Sequence, residues 1–280
     1  MTALNILFTL DRNYLPPLRV ALFSLLMNNP GEAFHIYLAG DGFAQEDWDG
    51  LDALCARFGA ALHPVSIDER WFDGAPTLRY YSRAMYYRLL AAQMLPESLD
   101  RILYLDPDML VIGPLRALYD TELGDHLYAA SIHRGLVDLS TPVNRIRLST
   151  QDAEGYFNSG MLLMNLPEIR KSVHPQEIFS YVEQNRALLV LPDQDVLNGL
   201  YGKRILELDE KRYNYDARRY NEYLLASQGE ADMDDVIANT RILHFCGRRK
   251  PWNKAYVGRF GVLYKHYMQL AARCMGGDIP

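Results

Sequence analysis

The stretch Ile102-Leu103-Tyr104-Leu105-Asp106-Pro107-Asp108 decides the fold. An unbroken apolar run of this length, with no polar alternation, fits a strand covered on both faces, as in parallel sheets layered with helices. It ends directly in two carboxylates. Ligand sites of open α/β sheets lie beyond the carboxyl ends of their strands, which is where this pair falls. In an extended backbone alternate side chains share a face, so Asp106 and Asp108 are expected to converge on one cation. Hard oxygen ligands suit Mg²⁺ or Mn²⁺, and such an ion can hold phosphates. A polar turn around Pro107 accounts for the same residues without any ligand.

Working outward, the first half alternates between two periods. Strands are expected at residues 4–9, 34–38, 63–67 and 102–105, with helices at 16–27, 44–58 and 78–94 between them. This βαβα order implies a mostly parallel sheet covered by helices. In the second half, residues 127–132 and 157–166 read as strands around a polar segment, and a helix runs through 195–200. Residues 209–235, rich in Tyr, Asn, Arg and Asp, suggest irregular structure or a lid. A late strand at 241–245 precedes an amphipathic helix at about 255–273. With no repeat and no convincing linker, residues 1–280 read as one domain.

Composition excludes several classes. Hydrophobic residues make up 49% and charged residues 23%, which is ordinary globular usage. The formal charge of -6 offers no net attraction to a nucleic-acid backbone. Three scattered cysteines supply neither a disulfide framework nor a thiolate zinc site and fit a reducing cytoplasm. No signal peptide or membrane-length apolar run is visible. Gly-x-Gly-x-x-Gly and the Lys-bearing phosphate loop are absent, which argues against a dinucleotide oxidoreductase and a P-loop triphosphatase.

Further polar groups cluster at strand ends. Asp11 and Asn13 follow the first strand, where they can meet a nucleotide or simply begin the helix before Pro16. Pro192-Asp193-Gln194-Asp195 precedes an apolar helical run, so one acid serves as a cap, while three adjacent polar groups exceed what a cap needs. His244-Phe245-Cys246-Gly247-Arg248-Arg249-Lys250-Pro251-Trp252 ends the late strand; His244 can join the two carboxylates, and Gly247 and Lys250 can meet a diphosphate. Arg248 and Arg249 add positive charge there, or form a solvated surface.

In this order, the fragments Phe8-Thr9-Leu10-Asp11-Arg12-Asn13-Tyr14, Tyr81-Ser82-Arg83, Tyr104-Leu105-Asp106-Pro107-Asp108, Phe157-Asn158-Ser159-Gly160, Asp193-Gln194-Asp195 and His244-Phe245-Cys246-Gly247 through Lys250-Pro251-Trp252 resemble glycosyltransferase family 8. These are retaining enzymes that include lipopolysaccharide α-galactosyl- and α-glucosyltransferases and glycogenin. The resemblance covers about residues 4–254 and implies a GT-A fold, an α/β domain with a mostly parallel sheet and a smaller mixed sheet region. It further implies that Asp106, Asp108 and His244 are ligands of Mn²⁺, with Mg²⁺ the alternative. By the same resemblance Thr9, Asp11 and Asn13 meet the uridine of a UDP-sugar and Arg83 lies near its sugar and phosphate. Asn158, Asp193 and Gln194 would contact the hexose, with Gln194 near the reacting face, and Gly247 and Lys250 would hold the diphosphate.

The implied reaction moves galactose or glucose from UDP-galactose or UDP-glucose to a carbohydrate or glycolipid acceptor. It would take place in the cytoplasm with no nucleic-acid partner; the last helix can make peripheral contact at the inner membrane face or simply pack on the domain. One departure stands out: where relatives often carry an aspartate after the strand at 128–132, this chain has His133, or Asp138 in a shifted alignment. A sugar-nucleotide hydrolase, a nucleotidyltransferase and a catalytically silent carbohydrate-binding relative are the alternative readings.

Overall fold

The computed structural model describes residues 2–66, 84–132 and 155–276. Strands β1 (Leu4–Asp11), β2 (Phe34–Asp41), β3 (Ala61–Pro64), β4 (Arg101–Leu105), β6 (Tyr128–Ser131), β7 (Met161–Asn165) and β8 (Ile205–Leu208) form one sheet in the order β3-β2-β1-β4-β7-β6-β8. Four of its six strand pairs are parallel; β7 runs antiparallel to both β4 and β6. A second sheet, β5-β10-β9, joins Met109–Val111, Ile242–His244 and Tyr215–Asp216. This is the α/β arrangement expected.

Period two is visible along β4. Ile102 and Tyr104 enter one hydrophobic cluster, with Tyr86, Tyr87 and Leu162; Leu103 and Leu105 enter the other, with Ile6, Phe8 and Leu163. Burial on both faces explains why this strand shows no polar alternation. The helix Leu15–Met27 covers the second face, opening with prolines in its first turn, where no backbone N–H is needed. The small sheet has its own cluster, built on Leu110, Leu243, Tyr215, Phe245 and Tyr264.

Several boundaries differ from expectation. The 78–94 segment is two short helices, Ala84–Leu89 and Ala91–Met94; its first residues, with Arg83, lie outside the described residues, as do His133 and Asp138. The strand expected from residue 157 is regular only from Met161: Phe157 makes an isolated bridge to Ile132, and Asn158 Oδ1 accepts the Gly160 N–H at 3.0 Å, so that N–H makes no ladder bond. The last helix begins only at Gly261 and runs to Cys274.

The segment 209–235 is not irregular. It holds helices Glu210–Tyr213, Tyr220–Ala226 and Met233–Asn239, and strand β9. Its polar composition conceals a tyrosine core: Tyr215, Tyr220 and Tyr223 are buried, and Phe260 packs edge-on against Tyr215 and Tyr220. Among the described residues no helix is long and apolar enough to cross a membrane.

Leu103 is fully buried in the strand that links the two halves of the large sheet. Leu103→Ala should lose about 2–5 kcal/mol of stability in urea unfolding. A loss below about 1 kcal/mol would show that this strand is not central to the core.

Candidate active site

The two aspartates meet through a turn and not through strand alternation. β4 stops at Leu105, Met109 N–H donates to the Asp106 carbonyl at 3.2 Å, and Pro107 and Asp108 occupy the corners. Pro107 presets the backbone angle of the first corner and asparates suit the opening position. Before the turn, the Asp106 N–H donates to the Gly160 carbonyl at 2.8 Å, continuing the β4–β7 ladder of the large sheet. After it, Met109 pairs with His244 in the small sheet, and the Phe245 N–H donates to the Asp108 carbonyl at 3.1 Å. The turn is thus the joint between the sheets, and the second sheet delivers His244 to the pair.

One ligand atom from each of Asp106, Asp108 and His244 lies within 4.8 Å of the others. The surroundings fit a cation. Asp108 Oδ1 is buried without a hydrogen-bond partner and lies 3.4 Å from His244 Nε2. A Cβ on Gly160 would sit 2.5 Å from His244 Cε1 and 2.8 Å from Asp106 Oδ2, so glycine keeps this space open. His244 Nδ1 lies 2.9 Å from Asn214 Oδ1. An amide oxygen only accepts, so Nδ1 carries hydrogen and the lone pair of the neutral ring falls on Nε2, toward Asp108. Asn214 is fixed in that orientation because its Nδ2 donates to Asn158 Oδ1 at 3.0 Å.

Without a metal, protein cations balance the carboxylates. Burial raises the pKa of Asp106, and although the Arg88 guanidinium at 3.0 Å opposes this, the carboxyl stays above its usual range. Burial also acts against ionisation of Asp108, but His244 and then Lys250 outweigh it and hold that carboxyl well below the usual range. Lys250 donates to Asp108 and, at 3.0 Å, to the Phe245 carbonyl. Burial disfavours the charged forms of His244 and Lys250, yet both titrate above their ordinary values. Cys246 and Asp108 raise His244, and Asp108 raises Lys250.

A cleft of about 480 Å³ opens over this centre. Of the sequence-predicted residues, Asp106, Asp108, Asn158, Asp193, Gln194, His244 and Gly247 line it; Thr9, Asp11, Asn13 and Lys250 do not. Asn158 Nδ2 donates to Gln194 Oε1 at 3.2 Å, and Ser159 Oγ donates to Asp193 at 2.9 Å. Gly247 has φ +84°, a backbone region open to glycine. Asp195 belongs to the helix: its carboxylate accepts the Val190 and Leu191 N–H groups at 2.6 and 3.0 Å. Asp11 accepts the Asn13 N–H at 2.8 Å, starting the 3-10 turn Arg12–Tyr14. Thr9 is buried, its Oγ1 3.4 Å from the Tyr104 hydroxyl, which in turn donates to Asp106. Tyr14 meets Trp252 edge-on at 6.1 Å, which brings the end of β1 to the Lys250 loop.

Arg88 was missed by the sequence reading. It bridges Asp106 and Asp193, at 3.0 and 2.7 Å, and lies 4.8 Å over the Tyr104 ring. A lone arginine between Tyr86, Tyr87, Leu89 and Leu90 is the available signal, since a cation in so apolar a stretch needs buried anions.

The sequence matches the family described as glycosyl transferase family 8 over residues 5–255. The chain belongs to glycosyl transferase family 8. It is thus a retaining glycosyl transferase with the GT-A fold. It is 26% identical to General stress protein A of Bacillus subtilis, over 95% of this chain and 93% of that protein. It is likewise 26% identical to the lipopolysaccharide 1,3-galactosyltransferase of Salmonella typhimurium, over 89% of this chain and 73% of the relative. The crystal structure of galactosyltransferase LgtC, in complex with donor and acceptor sugar analogues, superposes with a TM-score of 0.78 at 25% identity, covering 99% of this chain and 98% of that one.

Two substitutions test the site of this family 8 enzyme. Gly160→Ala should lower Mn²⁺ affinity by roughly ten- to a hundred-fold in a titration followed by electron paramagnetic resonance; unchanged affinity would show that the gap is not needed for metal. Arg88→Met strands two carboxylates and should cost about 3–5 kcal/mol in urea unfolding. A change under about 1 kcal/mol would mean that Arg88 is not their counter-charge.

Proposed function

We propose that this single catalytic domain transfers galactose or glucose from a UDP-sugar to a hydroxyl of a carbohydrate or glycolipid acceptor, with Mn²⁺ or Mg²⁺ held by Asp106, Asp108 and His244. The convergence of two carboxylates and an imidazole beneath a cleft lined by Asn158, Asp193 and Gln194 carries this reading. A divalent cation there supplies positive charge for the diphosphate leaving group.

The protein's own groups fit the remaining demands. Asp11 and Asn13 bind the uridine at the end of β1, and Thr9 supports that end from its buried position. Gly247, free to adopt a positive φ, and Lys250 hold the diphosphate, and Lys250 stabilises charge that grows as the glycosidic bond lengthens. Asn158, Asp193 and Gln194 orient the hexose. Arg88, pinned between Asp106 and Asp193, fixes those carboxylates, and Arg83 lies near the sugar and phosphate of the donor. In the transfer, the bond between the anomeric carbon and the β-phosphate oxygen breaks with its electron pair leaving on UDP. The acceptor oxygen bonds to that carbon on the same face and its proton passes to the departing phosphate. Gln194 lies near the reacting face and orients it without forming a covalent bond. The reaction belongs to the cytoplasm.

UDP release from a panel of UDP-sugars, with and without Mn²⁺, tests this reading. Metal-dependent release from UDP-galactose or UDP-glucose is expected, falling at least about a hundred-fold in Asp106→Ala and Asp108→Ala. Absence of UDP binding in the presence of Mn²⁺ would sink the reading.

A further inference from the structure

A second cleft, of about 720 Å³, adjoins the first and shares Arg218, Cys246 and Gly247 with it. Its charged lining consists of four arginines, Arg218, Arg248, Arg249 and Arg259, without one aspartate or glutamate. In a chain of net charge -6 this is a strong local reversal of sign.

The four are not equivalent. Arg218 grips the fully buried Asp216 through Nε and Nη2, at 2.9 and 2.6 Å. Its Nη1 faces Gly247, where an added Cβ would lie 2.7 Å away. Arg259 lies 4.3 Å over the Tyr220 ring. Both are therefore held in place before any ligand arrives. Arg248 and Arg249 are exposed, and among the described residues neither makes a hydrogen bond or ion pair. A guanidinium presents a planar fork that matches carboxylate and phosphate oxygens. With Arg218 offering only its Nη1 edge, Arg259 held over a ring, and Arg248 and Arg249 unengaged, the four guanidiniums, with Tyr220 and Tyr256 beside them, form a receptor for an oxyanion attached to a ring.

Gly247, assigned above to the donor diphosphate, lines both clefts, so the second cleft flanks the donor phosphates without holding the uridine. The proposed uridine residues Asp11 and Asn13 sit at the end of β1, and neither lines this cleft. The second cleft lies across Gly247 from the pocket that holds Asn158, Asp193 and Gln194. We infer that it is the acceptor subsite and that the acceptor carries a phosphate or carboxylate group on or next to the sugar that is extended. The inference rests on the transferase reading for the words donor and acceptor; the arginine receptor itself stands on the geometry.

The test compares charged and uncharged sugars on the same protein. Glucose 6-phosphate, galacturonate, glucose and galactose are titrated calorimetrically into the full chain, first alone and then with saturating UDP and Mn²⁺. The two charged sugars, or one of them, should bind about ten-fold or more tightly than their neutral counterparts at low salt, and the advantage should shrink as salt rises. A preference for only one of them names phosphate or carboxylate as the group. The double variant Arg248→Gln/Arg249→Gln, changed at exposed positions, should reduce the advantage to two-fold or less. Equal binding of charged and neutral sugars overturns the proposal, as does a preference that survives in the double variant. A preference abolished by UDP and Mn²⁺ also overturns it, because the anion then occupied the donor site. If UDP itself fails to bind with Mn²⁺, the transferase reading fails, while the titrations without nucleotide still decide whether the arginine cleft selects anions.

Discussion

Two carboxylates held within reach of one cation repel each other, and partial burial strengthens that repulsion. The arrangement around Asp106 and Asp108 answers this constraint from both sides of the joint between the sheets. Arg88 compensates Asp106 from a helix that packs on the large sheet, and Lys250 and His244 compensate Asp108 from the end of the small one. Each sheet thus supplies one carboxylate together with its counter-charge. The turn at Pro107 holds the two halves in register. Charge balance and architecture are therefore one problem in this molecule, solved by a few residues.

A second layer of order comes from neutral amides. His244 is oriented by Asn214, Asn214 by Asn158, and Asn158 reaches Gln194. This chain of donors and acceptors runs from the small sheet, beneath the cleft, to the helix Pro192–Tyr201. Asn198, on the same helix, exchanges hydrogen bonds with the backbone of Phe157 at 2.7 and 2.8 Å, as a neighbouring strand would. The segment before β7 is consequently fixed by side chains in addition to its one bridge to Ile132 and the 2.9 Å bond from the Asn158 N–H to the Ser131 carbonyl. Amides suit this role because each offers a donor and an acceptor and brings no charge to a place already crowded with it.

The central strands were legible in the sequence because burial on both faces leaves largely apolar runs, unbroken from Ile102 to Leu105 in β4 and interrupted in β1 and β2 only by Asn5, Thr9 and His35 before their polar ends. So was the cluster of Asp106, Asp108 and His244, since each follows or ends an apolar run. Their means of convergence was not legible. An Asp-Pro-Asp sequence reads equally as strand end or turn, and only the pairing of Met109 with His244 selects the turn. Arg88 and Asn214 were hidden for another reason: their importance lies in partners far along the chain. Residues 209–235 misled through composition, because tyrosine counts as polar in a loop and as apolar when its ring is packed.

The joint between the sheets also bears on how the protein is made. Lys250 and Asp108 stand 142 residues apart, and His244 arrives on a strand near the end of the described chain. During synthesis the large sheet can acquire most of its strands well before those residues leave the ribosome. Over that interval Asp106 already has Arg88 and Tyr104 beside it, whereas Asp108 still lacks both His244 and Lys250. The cation cluster can therefore be completed only after β10 and Lys250 have been made.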